Sequence, residues 1–216
     1  MNIKTIEGLQ NAINREKSWR VKELAFIKQN VNCQNKSELI SEYVVRSSIT
    51  MLYAHWEGAI KNIARIYLKH VVEQHIAYKD LKINFIALSL VEQVVEAGKS
   101  SKPSVHKKHF INVQNRFNEN ISSSLSNYIK TSSNLSSEIF VEIMEAIGIC
   151  YDKYSVDFKL IDKSLLESRN AIAHGERRIN IDTERYNKIH DTICSIINDF
   201  ASSVLEAAEQ KQYLAI

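Results

Sequence analysis

The chain has 216 residues, which is long enough for one domain with a substantial hydrophobic core. Hydrophobic residues make up 44% and charged residues 25% of it, so the composition is that of an ordinary water-soluble globular protein. The net charge of +3 permits an anionic partner, but it excludes a strongly basic domain that binds duplex DNA by charge alone. With only five glycines and one proline, the sequence favours long helices joined by few turns.

Apolar residues recur at helical spacing along nearly the whole chain. This periodicity predicts helices over about 3–30, 37–76, 85–97, 105–129, 138–147, 158–174 and 182–205 and beyond. The expected capping residues are Ser37, Ser136 or Ser137, and Asp182 or Thr183 as N-caps, with Gly98 and Gly148 at C-terminal ends. In the second helix, we expect Trp56 in the core and Gly58 to permit close packing. The chain is therefore expected to be all-α, a single domain over residues 1–216 that forms an antiparallel helical bundle of about five to seven helices.

The cysteines and the N-terminus indicate the compartment. Cys33, Cys150 and Cys194 are widely spaced and form no C-x-x-C pair, so we expect neither a disulfide framework nor a zinc site. No charged and apolar leader follows Met1, and no apolar run approaches 18 residues, so we expect a cytoplasmic protein without membrane association. The motifs of P-loop NTPases, zinc proteases and serine hydrolases are absent, which removes the commonest functions of those classes. We expect no metal and no other cofactor.

The most informative stretch is RNAIAHGE, which runs from Arg169 to Glu176 at the expected C-terminal end of a helix. An arginine supplies a permanent planar cation that binds phosphate, and a histidine exchanges a proton near neutral pH. Together these groups can cleave RNA without a metal ion. Arg169, His174 and Asn170 are therefore the candidate catalytic residues.

The spacing within this stretch constrains how the residues can act. Positions five apart on an α-helix differ in direction by roughly 140°, so Arg169 and His174 do not share a face. Asn170 and His174 are four apart and do share one. Two copies of the chain that meet across a two-fold axis could bring both sets of residues into one cleft, so we expect a homodimer.

The stretch RNAIAHGE resembles the R-x4-6-H signature of HEPN domains, helical-bundle proteins of which many are RNases of toxin–antitoxin and antiviral systems. A second block, Arg46 to Tyr67, resembles the Trp-Glu-Gly helix of the MAE-like HEPN branch. The two blocks lie far apart, so the resemblance spans the middle and the C-terminal part of the chain.

The resemblance implies an HEPN-like fold and a metal-independent endoribonuclease that acts on RNA as a homodimer and leaves 2′,3′-cyclic phosphate ends. His174 would act as a general base on a 2′-hydroxyl or as an acid on the leaving 5′-oxygen. Arg169 would stabilise charge on the phosphate, and Asn170 would orient the histidine or hold a phosphate oxygen. Arg46 and Glu57 resemble residues of a helix that packs beside the motif, where they would position Arg169. A cognate antitoxin protein is a further possible partner.

Basic residues elsewhere are weaker candidates for RNA contacts. Residues 99–116 contain five Lys or Arg and no acidic residue, so Lys107 and Lys108 could hold RNA phosphates. A solvated loop and helix start explains these charges slightly better. His106 and His109 in the same segment could form a metal pair, but no carboxylate lies near them in sequence, so this is less expected.

Glu176, Arg177 and Arg178 follow the motif directly. The two arginines could extend a track of phosphate contacts, although ordinary surface charge explains them equally well. A non-catalytic interpretation of the motif also stays open, in which Arg169 pairs with a nearby carboxylate and His174 ends its helix. The chain would then be an HEPN module that binds a nucleotide, an RNA or a partner protein, or a purely structural helical dimer.

Overall fold

A computed structural model describes residues 3–33, 37–122, 125, 128–129, 134–176 and 181–215. The α-helices within these ranges are α1 (Ile6–Val31), α2 (Glu38–Val72), α3 (Ile83–Gly98), α4 (Pro103–Arg116), α5 (Ser137–Ala146), α6 (Glu167–Ala173) and α7 (Thr183–Glu209). A π-helix, Leu160–Leu166, precedes α6, and short 3₁₀ helices cover Tyr78–Asp80 and Asp152–Asp157. The predicted all-α helical bundle is confirmed. No helix in the described ranges combines the length and the apolar character needed to cross a membrane.

The predicted N-caps begin their helices as expected. A helix N-terminus leaves backbone N–H groups without intrahelical partners, and a side-chain oxygen at the N-cap accepts one of them. Ser37 accepts from Ile40 in this way, and Asp182 accepts from the N–H of Arg185. Of the two serines considered for α5, it is Ser136 that caps the helix. Gly148, with a φ of +71°, follows the end of α5 as predicted.

The long helices α1, α2 and α7 pack against one another and form the framework of the bundle. Contacts along α1 and α2 run in opposite directions, because Arg20 lies beside His55 while the earlier Glu16 accepts from the later Asn62. The two helices are therefore antiparallel, as their short connection requires. α7 covers both of them and completes a three-helix layer.

Helix α2 links the core to the segment that carries the motif. It has 35 residues, and Trp56 in its middle is fully buried. The indole ring lies 5.2 Å from the ring of Phe140 on α5, and its Nε1 donates to the carbonyl of Leu135. The predicted core position of Trp56 is confirmed. Both the π-helix and α6 pack on α2, so this helix supports the motif directly.

A buried arginine occupies the contact between α1 and α2. Arg20 is 6% exposed and pairs with Glu16 at 2.6 Å. A Cβ atom at Gly58 would lie 2.7 Å from Arg20 Nη2, which is closer than such atoms approach. Gly58 therefore lets the guanidinium pack against α2, which confirms the close packing predicted there. Burial lowers the pKa of the neighbouring His55, and the Arg20 charge acts in the same direction.

Two predicted helix ends are wrong. Gly98 is the last residue of α3 and has a helical conformation, so it is not at a C′ position, and Lys99 is the C-cap. The helix predicted over 105–129 ends at Arg116. Beyond it, the chain makes backbone hydrogen bonds with residues 76–79, such as Tyr78 N–H to the carbonyl of Glu119. These long-range bonds replace the helical ones, and local periodicity carries no sign of them.

Candidate active site

The predicted catalytic residues lie on α6 and on the turn that ends it. The chain is helical from residue 158 to residue 173, which confirms the extent of the predicted helix. Its first half, Leu160–Leu166, is a π-helix. Such segments are rare and occur frequently at functional sites. The wider turns of the π-helix rotate the positions that follow them. The π-helix therefore helps to set the directions in which the side chains of α6 point.

The C-terminal end of α6 is fixed by a glycine turn. His174 is the C-cap, and Gly175 follows at C′ with a φ of +80°. The N–H of Glu176 donates to the carbonyl of Ala171 at 2.9 Å, and that of Gly175 to Ile172 at 3.1 Å, which is the Schellman pattern. The chain therefore turns away sharply and leaves the side chain of His174 exposed.

Two kinds of contact hold the Arg169 guanidinium, namely hydrogen bonds along one edge and an aromatic ring against one face. Its Nη1 donates to Asn134 Oδ1 at 2.7 Å and to Asn170 Oδ1 at 2.8 Å. The guanidinium carbon lies 4.5 Å from the centre of the Tyr53 ring, a cation–π distance. Within the described residues, Nε and Nη2 of Arg169 have no hydrogen-bond partner. A guanidinium placed in this way keeps donors available for two oxygens of a phosphate.

Tyr53 connects Arg169 to the rest of α2. It is 2% exposed, and its hydroxyl oxygen accepts from the backbone N–H of Leu135. Burial raises the pKa of Tyr53 above its ordinary value of 10.0, and the carboxylate of Glu57, to which the hydroxyl donates, raises it further. The hydrogen bond from Leu135 and the charge of Arg169 oppose this shift. The hydroxyl therefore stays protonated. Its hydrogen bond to Glu57 links that carboxylate to the ring that lies against Arg169.

Arg46 and Glu57, predicted to position Arg169, lie on the same side of α2 as Tyr53. The three residues are spaced seven and four apart, which places them on one helical face. Both Arg46 and Glu57 are half-buried. Glu57 reaches Arg169 indirectly, through the Tyr53 hydroxyl. The structure therefore brings Glu57 to the site.

The described contacts of a single chain do not join Arg169 to His174. The partners of Arg169 are Tyr53, Asn134 and Asn170. The backbone N–H of His174 donates to the carbonyl of Asn170 at 2.9 Å, but its ring is exposed at the helix end. Arg169 also forms none of the carboxylate pairs considered for a non-catalytic role within the described residues. The arginine is thus ordered by amides and an aromatic ring, which leaves its charge uncompensated by these contacts.

The remaining candidates lie elsewhere or outside the described residues. Glu176 is exposed immediately after the turn. Arg177 and Arg178 lie outside the described residues. Lys107 and Lys108 are exposed on α4, whose main packing partner is α3 and not α6. The predicted phosphate contacts of these four basic residues stay predictions.

The possible metal pair on α4 has no third ligand among the described residues. His106 and His109 are both half-buried. No group of three or more His, Cys, Asp or Glu side chains in the described ranges is arranged to hold a metal ion.

The sequence did not indicate Tyr53 and Asn134 as parts of the site. A signal for Tyr53 exists in the heptad-like spacing that joins it to Arg46 and Glu57. Asn134 offered no comparable signal, because it lies in the serine-rich segment before α5 and only the fold brings it to Arg169.

Comparison with known protein families gives a match over most of the chain. The family model described as RiboL-PSP-HEPN matches residues 15–206. This range contains both α2 and the whole motif segment. Neither the curated proteins nor the solved structures contain a match.

Proposed function

The chain belongs to the RiboL-PSP-HEPN family, and we propose that it is a metal-independent endoribonuclease of a toxin–antitoxin or antiviral defence system. The match agrees with the HEPN resemblance noted from the sequence, although it names this family and not the MAE-like branch. The observation that carries the proposal is the state of Arg169. Its guanidinium is ordered by Tyr53, Asn134 and Asn170, while Nε and Nη2 have no partner among the described residues.

The proposed reaction is an attack of the RNA 2′-oxygen on the adjacent phosphorus. His174 of one protomer removes the 2′-hydroxyl proton as general base. The bond from phosphorus to the 5′-oxygen breaks, and a histidine acting as general acid protonates that oxygen. The products carry a 2′,3′-cyclic phosphate and a 5′-hydroxyl. A homodimer can supply the base and the acid from different protomers, and one histidine alone already assists one of the two proton transfers.

Arg169 and Asn170 have complementary roles at the phosphate. Arg169 donates to the non-bridging oxygens as their negative charge increases in the transition state. Asn170 Oδ1 already accepts from Arg169, so the amide Nδ2 is the group left to donate to a phosphate oxygen. This arrangement favours phosphate binding over orientation of the histidine as the role of Asn170.

The test is cleavage of a labelled single-stranded RNA in excess EDTA. We expect the wild-type chain to cleave RNA under these conditions and to leave DNA of the same sequence intact, since DNA lacks the 2′-hydroxyl. His174→Ala should lower the rate by roughly 10²–10⁴-fold, the usual contribution of a proton-transfer group. Arg169→Ala should lower it by roughly 10²–10³-fold, as loss of a charge-stabilising donor does.

Matched variants control for non-specific effects. His75→Asn replaces an exposed histidine whose φ of 56° asparagine tolerates, and Arg15→Ala removes an exposed arginine of α1. Both should cleave like the wild type. Activity that EDTA abolishes and magnesium restores would contradict the proposal, as would wild-type rates in either catalytic variant.

A second function, a non-catalytic HEPN module that binds RNA or a nucleotide through Arg169, is favoured by one observation. The described contacts of one chain do not bring the exposed His174 to Arg169. RNA binding that depends on Arg169 without any cleavage would select this function over the endoribonuclease.

A further inference from the structure

A basic cleft lies between the π-helix and the N-terminal part of α7. It has a volume of about 520 Å³. Its polar lining is formed mainly by Lys159, Lys163, Ser164, Arg185, Lys188 and Thr192. Asp157 is the one acidic residue that lines it. Four cations and one carboxylate around one concave surface make this part of the protein locally positive, although the net charge of the chain is only +3.

The cations of the cleft are only partly neutralised. Lys163 pairs with Glu167 at 2.5 Å, but both side chains are exposed, and such surface pairs exchange readily with other partners. Arg185 Nη2 donates to Ser164 Oγ at 3.4 Å, which directs the guanidinium toward the π-helix. Lys159 and Lys188 form no ion pair with any described residue. The cleft therefore retains positive charge that an anionic ligand can neutralise.

Part of the cleft lining lies on the helical segment that leads to the proposed site of cleavage. Lys163 and Ser164 lie on the helical segment that continues directly into α6 and Arg169. Ser164 lies five positions before Arg169, which is roughly 7.5 Å along a helix axis at 1.5 Å per residue. Positions five apart on a regular helix differ in direction by roughly 140°, so a strand with its scissile phosphate at Arg169 reaches the cleft by curving around the helix.

We propose that this cleft binds backbone phosphates of the RNA strand next to the scissile phosphate. The proposal rests on the proposed endoribonuclease function, because that function sets the position of the strand. Lysine and arginine neutralise the phosphates, and the hydroxyls of Ser164 and Thr192 donate to their oxygens. The half-buried apolar side chain of Leu160 in the same lining can contact the sugars. Because it reads no base edges, the cleft binds RNA without sequence preference.

The experiment measures binding separately from cleavage. A fluorescent single-stranded RNA is titrated into the His174→Ala protein, and anisotropy is followed at several salt concentrations. Into this background we introduce Lys159→Gln with Lys188→Gln. The matched control is Lys22→Gln with Lys69→Gln, two exposed lysines that do not line the cleft. Both pairs change the net charge equally. Thermal melting checks that each protein is folded.

We expect the cleft pair to weaken RNA binding by roughly tenfold for each lysine. The slope of log affinity against log salt should fall by about 0.7 for each phosphate that a lysine no longer neutralises, or about 1.4 for both. The control pair should leave the slope unchanged. Bound RNA should also protect Lys159 and Lys188, but not Lys22 and Lys69, from acetylation detected by mass spectrometry.

The outcomes separate this inference from the proposed function. Binding that depends on the cleft lysines supports the inference even if the wild-type protein cleaves no RNA, in which case only the endoribonuclease is wrong. Equal effects of the cleft and control pairs overturn the inference even if cleavage occurs. A fluorescent mononucleotide that binds the cleft as tightly as RNA also overturns it, because the cleft would then serve a free nucleotide.

Discussion

At the scale of single residues, the sequence Trp56-Glu57-Gly58 has three separate structural roles at consecutive positions. Trp56 fills the core and donates to the Leu135 carbonyl. Glu57 accepts from the Tyr53 hydroxyl, and Gly58 leaves the space that the Arg20 side chain occupies. One turn of α2 therefore contacts the core, the buried Arg20 and the Tyr53 side chain that lies against Arg169. A substitution at any of these positions affects a different part of the molecule.

The ring of Tyr53 should matter more to Arg169 than its hydroxyl does. Tyr53→Phe keeps the ring at the cation–π distance but removes the hydrogen bonds to Glu57 and Leu135. Tyr53→Leu removes the ring as well. A cation–π contact contributes about 0.5–2 kcal/mol, so we expect the leucine variant to cleave RNA a further roughly 2- to 30-fold more slowly than the phenylalanine variant.

The kinetic parameters and the unfolding temperature separate positioning from folding. If Tyr53 positions Arg169 for the transition state, the decrease in rate should appear mainly in kcat, with little change in KM. Circular dichroism must show both variants folded at the assay temperature. Equal rates in the two variants would mean that the ring does not position Arg169.

The sequence could predict the residues of the motif but not their partners. Arg169, Asn170 and His174 are recognisable because they are close together in the chain and belong to a chemically meaningful pattern. Tyr53 and Asn134 come from two distant segments, and their contacts with Arg169 depend on how α2 packs against α6. Such contacts are set by the packing of the whole core, which a short pattern does not contain.

At the scale of elements, the helices and their N-caps followed from local chemistry. Ser37 and Asp182 cap helices because their side-chain oxygens lie next to free N–H groups, a relation that spans only three residues. The π-helix is different, because its apolar residues fit a helical pattern without revealing the wider turn. The end of α4 was also not predicted, because long-range backbone hydrogen bonds determine it.

Two glycines at helix ends should respond in opposite ways to alanine. Gly175 has a φ of +80°, where a side chain is strained by about 1–2 kcal/mol, so Gly175→Ala should destabilise the protein. Gly98 is helical with no atom within 4 Å of a new Cβ, so Gly98→Ala should stabilise it by about 0.5–1 kcal/mol. Thermal unfolding should show shifts of roughly 2–4 °C per kcal/mol. Shifts of the same sign would contradict the assigned helix ends.

At the scale of the whole molecule, a single chain carries the proposed catalytic groups, but no described contact connects Arg169 with His174. Helix α6 has only seven residues, and the Gly175 turn ends it at the exposed His174. Arg169 faces Tyr53 and Asn134, and the described contacts of a single chain do not link it to His174. A regular helix places positions five apart about 140° from each other, so small side-chain movements do not easily close this gap. We propose that a second copy related by a two-fold axis supplies the missing partner.

The proposed dependence on two copies predicts complementation between variants that each lack one catalytic group. His174→Ala and Arg169→Ala, each strongly impaired alone, are denatured, mixed and refolded, and RNA cleavage is measured after mass measurement confirms heterodimers. A shared cleft then pairs the intact arginine of one protomer with the intact histidine of the other, so the mixture should cleave faster than either parent. If each protomer houses its own complete site, every site in the mixture lacks one group and no activity returns. Confirmed heterodimers without cleavage would therefore count against a shared cleft that needs one residue of each kind. A wild-type chain that cleaves RNA while it stays monomeric at micromolar concentration would remove the need for a second copy altogether.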